Sequence, residues 1–334
     1  PFYIRLTAAP EDPFRGFAIL KVTASDFVLV QLFAPDERFE RAREFFEIML
    51  STAELETAFE VDKGRGEAIA AGVRVLGGLT PQDYDAVVGD FPEQFERIYA
   101  PAPGGAAADE QEVGYRRVMA WLGSREELTV EDPSPPDRGS GSGGEDYLLR
   151  IDGLVLLEDG RRADSRSIYY LSRDRRQEAW SVEMAIRSPG AEPEVWRELG
   201  ARSGRSMSVQ ITSGGGAHRS FRPLIAGEGY ISRLEAFLLG PLLVRAGEPG
   251  GYAFYSYDQT AEANRLRRVE VSKAEDRPGL WRVETVRADG EREMAEYNGY
   301  GRLIRAETSE GHVKRPIEFD RLYRIWESKG LPLD

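Results

Sequence analysis

The chain has 334 residues, and at about 150 residues per domain this length favours two domains. Its 57 acidic and 44 basic residues give a net charge of −13, which argues against non-specific nucleic-acid binding because that binding needs clustered positive charge. Cysteine is absent and only two histidines occur, so disulfides, thiolate chemistry and a multi-histidine metal site within one chain are excluded.

The N-terminal segment, residues 2–59, has the pattern of strands followed by a helix. Two apolar runs, residues 17–22 and 27–33, flank a short polar turn and predict a β-hairpin. Asp36 is a suitable N-cap, and apolar residues then recur at i+3 and i+4 spacing over residues 39–50. We expect this amphipathic helix to cover one face of the hairpin.

A second helical region precedes a Pro/Gly/Ala-rich loop. Residues 67–76 are rich in alanine and apolar side chains, and Thr80-Pro81 gives a hydroxyl cap with proline at the first position of the next helix. Residues 92–98 are interpreted as a further short turn. The loop that follows, over residues 100–109, predicts the end of an N-terminal α+β domain of residues 1–105.

From residue 112 onward the pattern becomes strand-rich, with Gly, Asp and Pro in the turns between strands. The predicted strands cover residues 113–121, 147–157, 167–171, 178–186, 207–212, 221–225, 253–257, 265–271, 281–286, 292–297 and 303–306. Several of them alternate apolar and polar residues, so one face of the sheet meets water or a movable cover. The sequence therefore predicts an α+β protein in which residues 106–334 form a large curved antiparallel sheet, an incomplete β-barrel of about eleven strands.

Two helices are expected to cover this sheet. Residues 230–245 form the first, whose apolar stripe is expected to stop at Gly240-Pro241. Residues 319–329 form the C-terminal helix, which places Leu322 and Trp326 on one side and stops at Gly330.

This organisation resembles the LolA-like family of extracytoplasmic proteins. The segments that carry the resemblance are residues 252–257, the basic strand from Arg265, and residues 281–285. The resemblance implies an incomplete β-barrel whose concave face holds lipid under helical covers, in the periplasm or another extracytoplasmic compartment. The N-terminal piece, especially residues 32–39, resembles the hairpin-then-helix of PsbP/DcrB-like domains.

Sequence motifs for catalysis are absent: there is no Gly-x-Ser-x-Gly, no phosphate-binding Gly-x-x-x-x-Gly-Lys-Ser/Thr and no His-Glu-x-x-His. The candidate catalytic base is His218, which follows the glycine-rich residues 213–217, although a solvent-exposed loop histidine has the same pattern. A pair of acidic residues that converge in space stays open as an alternative. No cofactor and no metal site is predicted.

Aromatic and apolar side chains on or beside the strands are the predicted binding residues. They are Tyr170, Trp180, Phe237, Leu238, Phe254, Tyr257, Trp281 and Tyr297. Ordinary sheet packing would use the same residues, whereas a lined groove would enclose an apolar ligand.

The first functional hypothesis is a non-enzymatic extracytoplasmic protein that binds an apolar, lipid-like molecule or a protein segment in the concave face of the sheet. Such a protein would meet a membrane only at its periphery, because no apolar stretch approaches the roughly 18 residues of a spanning helix. The alternative is a structural or interaction subunit of a larger assembly. A hydrolase is the third hypothesis.

Overall fold

The computed structural model describes residues 2–5, 14–21, 27–52, 58–91, 93–102, 110–129, 146–225, 228–275, 277–288 and 290–332. Contacts divide the chain into two compact units, Pro1–Glu67 and Ala68–Asp334. The domain boundary that the sequence predicted between residues 105 and 106 lies outside the described residues.

The first unit contains a three-stranded antiparallel sheet and a helix. Its strands are β1 (Phe2–Arg5), β2 (Phe14–Lys21) and β3 (Phe27–Ala34), in the order β1-β2-β3. A turn of 3-10 helix over Asp36–Arg38 leads into α1 (Phe39–Thr52). The small α+β piece expected from the sequence is therefore present, with the pairing of β2 and β3 as the predicted hairpin.

Two further helices, α2 (Ala58–Gly78) and α3 (Pro81–Gly89), follow. The start of α3 is fixed by a capping box, in which the Thr80 backbone N–H and hydroxyl both donate to Asp83 Oδ2 at 2.7 Å. Pro81 stands at the first helical position, where the missing N–H costs no hydrogen bond. The helix start predicted at Thr80-Pro81 is confirmed.

In its described residues, the second unit is dominated by one curved, unclosed antiparallel sheet of fourteen strands. These are β4 (Gln94–Ala100), β5 (Gln111–Gly123), β6 (Asp146–Leu156), β7 (Arg162–Leu171), β8 (Gln177–Arg187), β9 (Glu194–Ser203), β10 (Ser206–Thr212), β11 (His218–Phe221), β12 (Gly250–Asp258), β13 (Ala263–Lys273), β14 (Leu280–Val286), β15 (Arg292–Asn298), β16 (Leu303–Glu307) and β17 (Val313–Ile317). The spatial order is β11-β10-β9-β8-β7-β6-β5-β4-β17-β16-β15-β14-β13-β12. This confirms the predicted fold class, with three strands more than expected.

The three additional strands are β4, β9 and β17. The interpretation of residues 92–98 as a short turn is wrong, because Gln94–Ala100 pairs with both β5 and β17. Strand β17 contains Pro316 and two adjacent basic residues, which disfavour a strand prediction although its backbone pairs on both sides. The strand predicted at residues 221–225 lies earlier, at His218–Phe221.

The helix α4 (Arg233–Ala246) packs on the concave face of the sheet, and its polar N-terminus is fixed by the hydrogen bond from Glu235 N–H to the Ser232 hydroxyl. Leu234, Leu238 and Leu242 are buried among inward-facing residues of β5 to β10. The predicted end of the apolar stripe at Gly240-Pro241 is wrong, because the helix continues through Pro241. Burial of apolar side chains on both sides of the proline outweighs its cost of about 3 kcal/mol.

The C-terminal helix α5 (Phe319–Ser328) packs on the opposite face of the same sheet, where Trp326 and Leu322 contact Leu154 of β6. Leu149 of β6 packs against α4 on the concave face. Leu154 is five positions further along the strand, and residues an odd number of positions apart point to opposite faces of a sheet. Both covering helices predicted from the sequence are thus present, one on each face. Among the described residues, no helix is both long enough and apolar enough to cross a lipid bilayer.

Candidate ligand-binding cavity on the concave face

A partly open cavity of about 310 Å³ lies between α4 and the concave face of the sheet, at the lower end of the size range of ligand pockets. Its apolar and aromatic lining comes from six strands, from α4 and from the turn after α3. This part consists of Phe91, Ile151, Tyr169, Ala236, Phe237, Leu239, Pro241, Tyr257, Val283, Ala295, Tyr297, Leu303 and Ala306. Because the strands that contribute are distant in the chain, only the curvature of the sheet brings these side chains together.

The cavity is also strongly charged. Among the described residues that line it, five are basic and two are acidic: Arg116, Arg233, Arg267, Arg287 and Lys314, with Glu96 and Glu293. A chain with a net charge of −13 therefore carries an excess of positive charge inside its concave face. Such a concentration of like charge in a cleft attracts anions.

The middle of α4 lies directly against Tyr297 of β15. A Cβ atom added at Gly240 would come within 2.4 Å of the Tyr297 hydroxyl oxygen, so the absence of a side chain permits this close approach. Burial, and then the negative charges of Glu293 and Glu96, raise the pKa of Tyr297 well above its ordinary value. The phenol is therefore protonated at neutral pH and presents a hydrogen-bond donor to the cavity.

The N-terminal end of α4 is held by Arg233 inside a group of aromatic rings. Its guanidinium carbon lies 5.2 Å from the ring centroid of Tyr169 and 5.6 Å from those of Trp180 and Tyr257, distances typical of cation–π contact. Arg233 Nη1 donates to Glu198 Oε1 at 2.5 Å. The aromatic group is thus occupied by the protein's own cation, which fastens α4 to the sheet.

Glu198 is completely buried and accepts from two further donors. Trp180 Nε1 donates to Oε1 at 2.7 Å, and the Tyr257 hydroxyl donates to Oε2 at 3.2 Å. Burial and the charge of Glu198 raise the pKa of Tyr257 above its ordinary value, so the phenol stays a donor. A buried carboxylate with three donors is fully compensated, and this part of the concave face is structural.

Two ion pairs lie in the lining of the cavity. Arg116 Nε donates to Glu96 Oε2 at 2.6 Å, and Lys314 Nζ donates to Glu293 Oε1. Burial alone would raise the pKa of Glu293, but the charge and hydrogen bond of Lys314, with Arg116 and Arg267 nearby, lower it below its ordinary value. Glu293 is therefore ionised at neutral pH, and each of the two carboxylates is paired with one cation.

The eight residues predicted to bind a ligand are distributed over three places. Phe237, Tyr257 and Tyr297 line the cavity. Trp180, Leu238, Phe254 and Trp281 are buried in the clusters that join α4 to the sheet. Tyr170 lies on the opposite face, where its hydroxyl donates to Asp146 Oδ2 at 2.5 Å. The role of the eight residues toward a ligand stays a prediction.

The alternation of strand residues explains the position of Tyr170. Tyr169 and Tyr170 point to opposite faces of β7, and Tyr169 is the one that lines the cavity. The charged lining was missed by the sequence prediction, although β13 carried a signal for it. Arg267 is two and four positions before the buried Val269 and Val271, so its side chain points to the same, concave face of the sheet.

The candidate base His218 is exposed at the start of β11, and its Nδ1 lies 3.4 Å from the Thr212 hydroxyl oxygen. His312 lies in a turn with its Nδ1 3.1 Å from Glu310 Oε2. In the described part of the chain, no group of three or more histidine or acidic side chains has the arrangement of a metal site.

No protein-family model matches this sequence, and no curated protein matches it significantly. Among solved structures, the chain is similar to the crystal structure of a β-barrel-like protein of the domain of unknown function DUF1849 from Brucella abortus. The similarity covers 68% of this chain and 97% of that chain, at 12% sequence identity and a TM-score of 0.43. The barrel-like fold expected from the sequence is confirmed by the fourteen-stranded sheet of this chain itself.

Proposed function

We propose that this protein is a non-enzymatic binding protein that holds a small, partly apolar ligand between α4 and the concave face of its sheet. The observation that carries the proposal is the cavity of about 310 Å³ at that place, which Phe237 and Tyr297 line together with aliphatic side chains. Burial of the apolar part of a ligand against these side chains would supply the binding free energy.

A small molecule fits this cavity better than a protein segment does. A volume of about 310 Å³ corresponds to roughly ten water molecules at about 30 Å³ each, which is less than an extended peptide with several side chains needs. The resemblance to LolA-like proteins implies a lipid-like ligand, and for a cavity of this size we propose a ligand with a single short apolar chain. The extracytoplasmic location belongs to the proposal too, and fractionation of the source cells tests it.

The proposal is tested by binding of a neutral apolar dye, Nile red, to the full chain and to two variants of α4. Ala236→Phe places a ring in the cavity, whereas Ala246→Phe makes the same change at the exposed end of the same helix. We expect the wild-type chain and Ala246→Phe to bind the dye with a blue-shifted emission. Ala236→Phe should bind it at least tenfold more weakly, because the added ring fills the space.

Equal binding by all three chains, or no binding by any, would overturn the proposal. Native mass spectrometry of protein purified from its source gives a second readout, in which a bound small molecule of low polarity is expected. If the purified chain sediments only as part of a large complex and carries no small molecule, the alternative role as an assembly subunit is supported instead.

A further inference from the structure

Arg267 occupies a central position among the cations of the concave face. It lies on β13, opposite Phe254 of the edge strand β12. Its side chain lines the cavity of about 310 Å³ and also an adjoining cavity of about 370 Å³. Arg233, Tyr257 and Arg287 line both cavities as well, so the two spaces meet around three arginines.

The other basic residues of the cavity each have a carboxylate partner. Two of these pairs, Arg116 with Glu96 and Lys314 with Glu293, lie within the cavity wall, and Arg233 is paired with the buried Glu198. Arg287 Nη1 lies 3.0 Å from Glu291 Oε2. These four cations are therefore neutralised by the protein itself.

Arg267 has no such partner in the described part of the chain. Its Nη1 donates to the carbonyl oxygen of Ala236 at 3.4 Å, at the long limit of a hydrogen bond, and its Nε is buried without any acceptor. It forms no ion pair with a described carboxylate. An arginine in this environment keeps its charge, so the folded protein holds one uncompensated cation beside an apolar space.

The charges around Arg267 do not remove this imbalance. Burial has the largest effect on the pKa of Arg267 and lowers it. The negative charges of Glu293 and Asp258 raise this pKa, whereas the positive charges of Arg287 and Arg233 lower it further. Glu293 already neutralises Lys314. An anion in the cavity beside the guanidinium would compensate the excess charge.

We propose that Arg267 is the anion-binding residue of this cavity, and that the ligand is an amphipathic anion with a carboxylate or a phosphate at the end of a short apolar chain. This inference rests on the proposed function, because the apolar chain lies against the cavity wall of Phe237 and Tyr297. The planar guanidinium accommodates either acid, since both present two oxygens to its paired N–H groups.

Three ligands with the same eight-carbon chain test the inference: octanoate, octyl phosphate and octan-1-ol. Their affinities are measured by displacement of Nile red from the wild-type chain, from Arg267→Met and from Arg268→Met. Arg268 is the control, because it is the exposed neighbour of Arg267 on the same strand. Circular dichroism and denaturant unfolding establish that both variants are folded.

We expect one of the two anions to bind the wild-type chain and Arg268→Met at least tenfold more tightly than octan-1-ol does. In Arg267→Met this preference should disappear, and affinity for octan-1-ol should change less than threefold. The anion that binds more tightly identifies the acid. The preference should also weaken as salt is raised from 50 mM to 500 mM, as expected of a charge-assisted contact.

Octan-1-ol binding as tightly as both anions to the wild-type chain would overturn the role of Arg267 and leave the proposed binding function intact. An anion preference that persists in Arg267→Met would overturn it in the same way. Failure of the dye and of all three ligands to bind the wild-type chain would instead contradict the proposed function itself.

Discussion

At the scale of single residues, the contact between α2 and β12 depends on a missing side chain. A Cβ atom added at Gly72 would lie 2.4 Å from the carbonyl oxygen of Ala253, which belongs to the backbone and cannot rotate away. We therefore predict that Gly72→Ala lowers the free energy of unfolding by about 1–3 kcal/mol. Chemical denaturation followed by circular dichroism measures this difference.

Gly77 gives a matched control on the same helix, because no atom lies within 4 Å of its added Cβ. Gly77→Ala should leave the free energy of unfolding unchanged or raise it by up to about 1 kcal/mol, since alanine favours the helix. Equal destabilisation by both changes would contradict the close approach of α2 to β12.

The sequence predicted single residues well where one local rule determines them. The cap Thr80 belongs to this class, because capping depends on a neighbour three positions away. Arg233 and Arg267 belong to the opposite class. The sequence shows them as basic residues on a helix and a strand, but only the folded sheet shows which of the two has a carboxylate beside it.

At the scale of elements, α5 is attached to the outer face of the sheet through two fully buried side chains, Trp326 and Leu322. Trp326 is fully buried, and its ring meets that of Tyr115 edge to face with centroids 4.9 Å apart. We predict that Trp326→Ala lowers the free energy of unfolding by about 3–5 kcal/mol, the usual cost of removing a buried large aromatic side chain. Thermal and denaturant unfolding both report this loss.

Tyr323 on the same helix is 42% exposed and serves as the comparison. Tyr323→Ala should cost less than about 1 kcal/mol, because a half-exposed ring gives up little burial. If the two alanine variants had similar stabilities, α5 would not be anchored by Trp326.

Most elements could be predicted from their periodicity, and the exceptions share one cause. Strands β4, β9 and β17 hold charged residues on positions that neighbouring strands compensate, as Arg97 of β4 is paired with Glu112 of β5. The sequence of one strand reveals the charged residue but not its partner on the neighbouring strand. The partner that makes this charge compatible with a sheet lies 13 residues away or more, so propensity alone missed the strand.

At the scale of the whole molecule, stability depends on pH through buried carboxylates such as Glu112. Burial would raise the pKa of Glu112, but hydrogen bonds from Arg97 and Lys329 lower it below its ordinary value of 4.5. A folded-state pKa below the unfolded-state value means that the stabilisation is complete above about pH 4.5. It is lost as the pH falls through the folded-state pKa.

We predict that Glu112→Gln lowers the free energy of unfolding at pH 7 by roughly 2 kcal/mol, because the hydrogen bonds lose their charge. The difference from the wild-type chain should shrink as the pH falls from 5 to 3, where the wild-type carboxylate takes up a proton. Denaturant unfolding at a series of pH values measures this difference in the free energy of unfolding.

Glu284→Gln, which removes the charge of Glu284 from its exposed ion pair with Arg292, is the control. Its free energy of unfolding should differ very little from that of the wild-type chain at any pH. If the loss in the free energy of unfolding of Glu112→Gln stayed constant down to pH 3, this would be inconsistent with a stabilising ionised Glu112.

The overall architecture was predictable because it follows from many short strands in succession, each a local pattern. The composition of the cavity was not, because it is assembled from side chains as far apart in sequence as Phe91 and Lys314. Aromatic residues on the strands indicated an apolar surface. Whether each of them lines the cavity, packs in the interior or lies on the outer face depends on which side of its strand it occupies and on where α4 packs.

The sheet ends in two unjoined edge strands, β11 and β12. A barrel closed by a continuous hydrogen-bonded ring has a circumference fixed by its strand number and stagger, so its interior cannot widen without rupture of the ring. An open sheet has no such limit. If the proposed binding function holds, we expect the cavity to accept ligands of different widths through a small change in the curvature of the sheet, with α4 as the element that limits ligand size.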